Sequence, residues 1–456
     1  MKSNKYYSVF GICLVCLSVA SNAQTSGLEN STEKTAVTDE SSKKNFNGMR
    51  ELVLLVLQNH PDLSQAESES RMAVSRVREA RSGIYPQLSF SGSYGQEQQK
   101  LYLSNRTSTF NDQVQAQLKL TQPLYDPSLG PNVRRLKAGS LGYDWQLVTT
   151  REQLILRTVE FYIEVIRQHQ LTELARQNLK LHRNYVAQMK DIARTDIGRA
   201  SDLSVAQARV ALAESTFTSR MAKLESARLQ WRNHSGMNSP DLSTLANLDQ
   251  LITELGNVPL PQTLDQAISE ALNNSPQLQK SLSEVKTNVH NLEISRSVTK
   301  PKINAEAVTR TGQNYGFVLG RQDDISVGVN LQWVLPLNPG YKYSNRAARE
   351  AIQASESAVD STTYKVRTAV ESQWFELLAN QASLETFQAY VESSQQVVAA
   401  YSEQFKIGRR SLLDVLNAEN ELFTARTNAM TAISDTSLTS WRLLSLRGYL
   451  ADYLEL

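Results

Sequence analysis

The sequence predicts a mixed α and β chain made of two tandem copies of one unit, each with a pair of amphipathic strands and a long helical hairpin. Three observations predict this. Short segments recur about 210 to 215 residues apart. Four stretches alternate apolar and polar residues, and two proline-free stretches keep a helical pattern over about 60 residues. A hairpin of that length beside a two-sided sheet indicates an elongated molecule.

The N-terminus has the pattern of a secretory signal peptide over residues 1–23. Lys2 and Lys5 precede an apolar stretch that ends in a small-x-small cleavage motif. Both cysteines, Cys13 and Cys16, lie inside this segment, and neither follows the pattern of a lipoprotein signal. We therefore expect a mature chain without a disulfide or an acyl anchor. A buried N-terminal helix is the alternative interpretation of the same pattern.

Residues 24–48 are polar and lack hydrophobic periodicity, which predicts a flexible leader. Removing the signal takes away two of the 48 Lys and Arg residues and none of the 46 Asp and Glu residues, so the mature charge balance is zero. Because a nucleic-acid binder is expected to be basic, this balance argues against a nucleic-acid partner. The mean hydropathy of -0.38 argues against a bundle of membrane-spanning helices.

The rest of the chain divides into two similar halves. Leu57–Leu63 resembles Leu272–Leu278 at an offset of 215 residues, and Ile197–Ser201 resembles Ile407–Ser411 at an offset of 210. Offsets that change so little predict a tandem duplication with small differences in loop length. Two copies are too few for a solenoid.

The two predicted structural repeats, 49–250 and 251–456, share one order of elements. Each begins with a helical pattern, roughly over 49–83 and 264–298, in which Leu, Val and Ala recur at helical spacing. A proline then ends the helix and starts an extended run.

The extended runs predict two strands in each repeat, joined by polar loops near 100–111 and 315–323. The apolar positions are Leu88, Phe90, Tyr94, Val114, Ala116, Leu118, Leu120, Ile303, Ala305, Ala307, Ile325, Val327, Val329, Leu331 and Trp333. Gln and Ser dominate the alternate positions, so each strand has one apolar and one polar face. A soluble sheet packed on a core alternates in the same way. Four strands cannot close a membrane barrel, so a lipid-facing sheet would require several subunits to pool their strands.

Proline-free helical patterns follow, over about 132–194 and 341–406. At 1.5 Å per residue, about 63 helical residues would span about 95 Å. Uncapped patterns of this length indicate coiled coils. Each long helix is predicted to end at a glycine, Gly198 or Gly408, because glycine tolerates the left-handed conformation that closes a helix. A shorter helix then returns, which makes each glycine the tip of a hairpin.

Motifs for catalysis or metal binding are absent from the sequence. The histidines His60, His169, His182, His234 and His290 are scattered, with no pair four residues apart. We find no HExxH, no glycine-rich phosphate loop followed by lysine and no G-x-S-x-G motif. The sequence therefore predicts no enzyme, no catalytic residue, no metal site and no cofactor. A site assembled by folding from distant residues is the alternative.

These features resemble the TolC-like outer-membrane efflux and secretion channels over residues 49–447. Ala80–Leu88 looks like the family's approach to its first strand, and Phe405–Ala418 looks like its second hairpin tip. The resemblance implies a homotrimer in the lipid of the outer membrane of a Gram-negative bacterium. It implies a twelve-stranded β-barrel continuous with a long periplasmic α-helical, coiled-coil barrel. It also implies a periplasmic adaptor and an inner-membrane ABC or proton-driven transporter as partners, and no enzymatic activity.

The resemblance places a periplasmic gate at the second tip. Two acidic residues, one turn apart, ring the entrance in this family. The matching positions here are Asp414 and Asn417, so one acid is kept. Three copies of Asp414 around one axis would attract cations, which predicts a cation-preferring entrance.

The family's gate also uses a tip arginine that bonds a tyrosine of its own helix and an aspartate of the first hairpin. Arg410 matches the arginine, Phe405 stands in place of the tyrosine, and Ser204 stands in place of the aspartate. Asp202, two residues away, is therefore the expected partner of Arg410. In the alternative interpretation these charges are ordinary solvated groups at helix ends, where exposed ion pairs contribute little.

The resemblance also implies that the adaptor docks at the hairpin tips. The expected docking residues are Ile197, Gly198, Arg199, Ile407, Gly408 and Arg409.

Together these features predict a passive exit duct that conducts substrate from the periplasm to the exterior. The tip segment 407–414 and the absence of a lipidation cysteine look more like the type I protein secretion branch, including channels for large adhesin or RTX-type cargo. A small-molecule or multidrug efflux channel is one alternative. A soluble periplasmic coiled-coil scaffold without a barrel is the other.

Overall fold

A computed structural model describes residues 49–98, 110–195, 200–239, 258–314 and 320–454. The predicted signal peptide, 1–23, and the predicted leader, 24–48, lie outside the described residues, as does the predicted boundary between the repeats.

Both halves of the chain contain two short helices, two strands and a long helical hairpin in the same order. The first half consists of α1 (Met49–Asn59), α2 (Pro61–Ser82), β1 (Gln87–Gln98), β2 (Phe110–Tyr125), α3 (Leu129–Thr195) and α4 (Ala200–Ser235). The second half consists of α5 (Leu264–Asn274), α6 (Pro276–Ser297), β3 (Lys302–Gln313), β4 (Arg321–Gln332), α7 (Gly340–Lys406), α8 (Leu412–Leu446) and the short α9 (Leu450–Tyr453). The two long helices, α3 and α7, each have 67 residues.

The first helix predicted in each half is in fact two helices. Pro61 and Pro276 each stand at the first position of a new helix, where the missing N–H of proline costs nothing. The residue before each proline caps that helix. His60 accepts a hydrogen bond through Nδ1 from the backbone N–H of Asp62, and the Ser275 hydroxyl accepts one from the N–H of Leu278. The helical periodicity continues across both breaks, which is why the pattern alone suggested one helix.

The four strands form one antiparallel sheet in the order β1-β2-β3-β4. One row of directly opposed residues contains Leu88, Leu120, Ala307 and Val327. The adjacent residues on each strand face the other way, so the predicted separation of apolar and polar faces is confirmed. The outer edges of β1 and β4 have no partner strand among the described residues.

The two faces of the sheet differ in chemistry as well as in pattern. Ile325 and Val327 are 83% and 82% exposed on the apolar face. On the polar face Lys119 Nζ lies 2.9 Å from Glu306 Oε1, which joins β2 to β3. Most of each predicted loop, near 100–111 and 315–323, lies outside the described residues. The second loop is shorter than predicted, because β4 begins at Arg321.

The helices bury their apolar side chains between the two hairpins and the short helices. In the first hairpin Tyr162 of α3 and Trp231 of α4 are buried, with ring centroids 5.9 Å apart. In the second hairpin Val370 of α7 and Leu443 of α8 share a cluster with Ala271 of α5. Within the described ranges, no helix combines the length and apolarity needed to cross a membrane.

Candidate functional site at the hairpin tips

The second hairpin tip is a tight turn closed by backbone hydrogen bonds on both sides. Gly408 has φ +73°, and its N–H donates to the Phe405 carbonyl, while the N–H of Arg409 donates to the Gln404 carbonyl. These two bonds form a Schellman motif, which satisfies the last carbonyls of α7. The prediction that Gly408 ends the long helix in the left-handed conformation is therefore confirmed. Ser411 then caps α8.

The side chains at the outer end of this tip are exposed. Ile407 is 67% exposed and Leu413 is 46% exposed, and Arg409 is exposed beside them. These exposed side chains are available to contact another protein. The predicted docking residues of the first tip, 197–199, lie outside the described residues, between the end of α3 and the start of α4.

Arg410 makes its contacts within its own hairpin. Its Nε donates to Gln404 Oε1 at 3.1 Å, its guanidinium lies 4.0 Å from the centroid of the Tyr401 ring, and Nη1 lies 3.7 Å from Asp414 Oδ2. The aromatic partner that the sequence placed at Phe405 is thus Tyr401, one turn earlier on α7. Cation–π stacking with Tyr401 orients the arginine without a hydroxyl group at position 405.

Asp414 belongs to a capping box at the start of α8. The Ser411 hydroxyl accepts a hydrogen bond from the Asp414 N–H, and Asp414 Oδ2 accepts one from the Ser411 N–H. The hydrogen bond from the Ser411 hydroxyl, above all, holds the pKa of Asp414 below its usual value. Asp414 is therefore ionised at neutral pH, and its charge favours the positive end of the α8 dipole.

Asn417, the second predicted gate position, faces the first hairpin. Its Oδ1 accepts a hydrogen bond of 2.9 Å from Arg209 Nη2 on α4. Asn417 is exposed and Arg209 is half-buried. This contact joins the returning helices of the two hairpins one turn above Asp414.

The other predicted gate residues have different surroundings. Phe405 is half-buried and packs against a core cluster that includes Met189, Ala206 and Leu416, so it holds the two hairpins together. Asp202 lies in the first turn of α4, where a carboxylate complements the helix dipole, and Ser204 is exposed on the same helix.

Polar side chains continue between the hairpins above this core. His182 on α3 is 3% exposed, and its Nδ1 has no hydrogen-bond partner among the described residues. Burial and the charge of Arg209 lower the pKa of His182. The Tyr185 hydroxyl donates to Glu419 Oε1 at 3.4 Å, and burial raises the pKa of Glu419.

A groove of about 540 Å³ lies between α3 and α7 next to the tip. Its lining includes Leu181, Tyr185, Ile192, Ser402, Phe405 and Lys406. The lining mixes apolar and polar side chains, as expected of a surface that could bind a segment of a partner protein. Among the described residues, no group of three or more His, Cys, Asp or Glu side chains could hold a metal ion.

Tyr401 and Arg209 are the two site residues that sequence reasoning missed. Tyr401 lies four residues before Phe405, so helical spacing places both on one face of α7, but it does not show that the tip arginine folds back onto that face. Arg209 is 208 residues from Asn417. No local spacing connects those two, so only the packing of the hairpins reveals their contact.

Comparison with known proteins identifies the family. Residues 52–234 and 267–448 match the model of the outer membrane efflux protein family. The chain is similar to the outer membrane efflux protein BepC of Brucella suis biovar 1 (strain 1330), with 26% identity over 407 residues, covering 87% of this chain and 85% of BepC. It is 24% identical over 405 residues to the proteases secretion protein PrtF of Dickeya chrysanthemi, covering 86% of each chain. The solved structure of the outer membrane protein VceC of Vibrio cholerae has a similar fold, with a TM-score of 0.73 and 14% identity, covering 88% of this chain and 96% of VceC.

The family match confirms several expectations from the sequence. Members are passive channels of the Gram-negative outer membrane with a periplasmic helical extension, and they are not enzymes. They act with periplasmic adaptors and inner-membrane transporters. Because the two matched segments cover most of the chain and the resemblance at the second tip agrees with them, the chain belongs to the outer membrane efflux protein family.

Proposed function

We propose that three copies of this chain form the outer-membrane exit duct of a tripartite export machine. The observation that carries the proposal is the four-stranded sheet, which has one exposed apolar face and two outer strands without a partner strand in the part of the chain that the structure describes. An open edge is not tolerated in lipid, so the edges must pair with those of other copies. Three copies supply twelve strands, with the apolar face toward lipid and the Gln- and Ser-rich face toward a wet lumen.

The long hairpins form the periplasmic part of this duct. A helix of 67 residues, such as α3 or α7, spans about 100 Å. Twelve helical segments from three copies would surround a tunnel that continues the barrel lumen. Substrate passes through it without chemical change.

The hairpin tips are the proposed docking surface for a periplasmic adaptor. In the second tip Ile407, Gly408 and Arg409 are exposed, and the groove between α3 and α7 opens beside them. Residues 197–199 are their proposed counterparts in the first tip. An inner-membrane transporter, ABC-type or proton-driven, would supply the energy through this adaptor.

The proposed gate lies at the inner side of the same tips. Arg410, Asp414 and Asn417 would line the entrance, with Phe405 packed behind them. Asp202 and Ser204 would face them from the first hairpin of the same or a neighbouring copy. The contacts of Arg410 with Tyr401 and Gln404 fix its position in the second hairpin.

Within this family we propose type I protein secretion as the branch. The tip segment 407–414 resembles that branch, and the name of the relative PrtF describes protease secretion. Small-molecule efflux is the second candidate, because the name of BepC describes efflux at similar identity.

A deletion strain of the host distinguishes the two branches. Loss of one or a few large proteins from the culture supernatant, with unchanged sensitivity to antibiotics, dyes and detergents, supports secretion. Increased sensitivity with an unchanged set of secreted proteins supports efflux. Restoring the intact gene should reverse the change in either case, and a strain without any change would contradict the exit-duct proposal.

A further inference from the structure

We propose that Arg209 sets the ion preference of the periplasmic entrance and makes it favour anions over cations. The inference rests on the proposed function, because it requires Asn417 to line the entrance. It reverses the preference expected from Asp414 alone.

The first step is the position of the guanidinium. Arg209 Nη2 donates to Asn417 Oδ1 at 2.9 Å, so the tip of this side chain is held at the predicted gate position on α8. The contact lies between α4 and α8, and Asn417 is open to solvent. Arg209 therefore places a fixed positive charge next to Asn417, the position at which the family pattern has an acidic residue.

The second step is the charge balance at this level. An asparagine oxygen accepts a hydrogen bond but carries no formal charge, so it leaves the positive charge of Arg209 intact. Among the described residues, no ion pair includes Arg209. Asp414, one turn away, lies 3.7 Å from Arg410, which offsets its negative charge. Asp202 lies seven residues before Arg209 on α4, about 10 Å away along the helix axis, which is beyond ion-pair distance. In each copy, the charge of Arg209 is therefore not offset by a carboxylate in contact with it.

The third step is the position of Glu419, a carboxylate close to Asn417 on α8. Glu419 lies two residues after Asn417, but it accepts a hydrogen bond from Tyr185 between the hairpins. It is half-buried, whereas Asn417 is exposed.

Three such charges around one axis would act together. Screening in physiological salt extends over about 8 Å, so an ion in a constriction of that size remains exposed to their field. Fields from like charges lining a narrow cleft raise the local concentration of counter-ions by about tenfold or more. The ratio of anion to cation permeability should therefore change when the charge of Arg209 is removed.

The test uses the complete protein in a planar lipid bilayer with a KCl gradient. The wild-type reversal potential should indicate a preference for chloride. Arg209→Gln should shift the permeability ratio toward potassium by about threefold or more, and Arg209→Lys, which keeps the charge, should retain the chloride preference. Asn417→Asp should shift the ratio as Arg209→Gln does, because the new carboxylate neutralises Arg209 without removing it.

Arg228→Gln is the matched control. It removes the same charge from α4, but Arg228 lies 19 residues further along the helix, about 28 Å away, and pairs with Glu225. Its reversal potential should equal that of the wild type. Native electrophoresis of each variant would show that its oligomer is intact.

The outcomes separate this inference from the proposed function. Conducting wild-type channels whose reversal potential is the same after Arg209→Gln and after Asn417→Asp would overturn the role of Arg209 while leaving the duct intact. A wild-type protein that forms no conducting channel would overturn the proposed function itself.

Discussion

Gly408 and Ser411 shape the second tip through backbone geometry. The first supplies a left-handed residue, and the second caps the returning helix. Both features follow from local sequence, which is why this turn could be predicted. The contacts of Arg410 with Tyr401 and of Arg209 with Asn417 could not be predicted with the same rules. One depends on which face of α7 the arginine folds back on, and the other on the docking of two distant hairpins.

Replacing Gly408 with valine should disturb the tip without unfolding the chain. No atom lies within 4 Å of a Cβ added at Gly408, so the strain comes from φ +73° alone. We expect a cost of about 1 to 2 kcal/mol. Export should fall while native electrophoresis still shows the intact oligomer. Gly408→Asn is the control, because asparagine tolerates this conformation. Normal export by Gly408→Val would argue against docking at this turn.

Glu152 gives the chain a pH-dependent stability away from the tips. It lies on α3, 9% exposed, and its Oε1 accepts a hydrogen bond of 3.3 Å from the Ala451 N–H at the start of α9. Burial, as the main cause, raises the pKa of Glu152 from 4.5 to about 7. The folded chain therefore binds more protons than the unfolded chain between these values. The contribution of Glu152 to the free energy of unfolding should fall by about 3 kcal/mol as the pH rises from 4.5 to 7.

Thermal unfolding in detergent at pH 5 and pH 8, followed by circular dichroism, tests this effect. Relative to the wild type, Glu152→Gln should have a higher Tm at pH 8 than at pH 5, because its amide does not ionise. The pKa of His234, lowered by burial to about 4, has the opposite effect on stability, but it acts in both proteins and cancels in this comparison. Glu225→Gln, an exposed change on α4, is the control and should keep the wild-type difference. Equal pH dependence in wild type and Glu152→Gln would show that Glu152 is not the titrating group.

The helices and strands were predicted well because each produces its own spacing of apolar residues along consecutive positions of the sequence. The pattern located both 67-residue helices to within a few residues and assigned the faces of all four strands. It missed the breaks before Pro61 and Pro276 because a capped proline restarts a helix without interrupting its apolar spacing. The sheet can close into a barrel only by pairing with other copies of the chain. The periodicity within one chain therefore does not predict how it closes.

Charge introduced on the two faces of the sheet should have unequal effects. Val329→Arg on the exposed apolar face should cost about 2 to 4 kcal/mol near the bilayer midplane, whereas the neighbouring Asn330→Arg points to the polar face and should be tolerated. Asn330 lies directly opposite Asn304, and the diagonal cation on β3, Lys302, is already paired with Asp126 at 2.9 Å. The amount of each variant recovered from the outer membrane measures the difference. Equal losses for both would show that the lipid-facing assignment is wrong.

The molecule as a whole depends on surfaces that a single copy leaves uncovered. Within the described ranges the outer edges of β1 and β4 have no partner strand, and exposed apolar residues line the sheet, including Ile325 and Leu331. These surfaces would be costly in a monomer exposed to water or lipid. Pairing β4 of one copy with β1 of the next removes the edges only when the ring closes.

Native mass spectrometry of the protein extracted in detergent from purified outer membranes tests the central claim most directly. The proposed duct predicts one dominant species with three copies of the mature chain, since three sheets of four strands complete the barrel. A monomer recovered from the soluble periplasmic fraction, or an outer-membrane complex with any other number of copies, would contradict it.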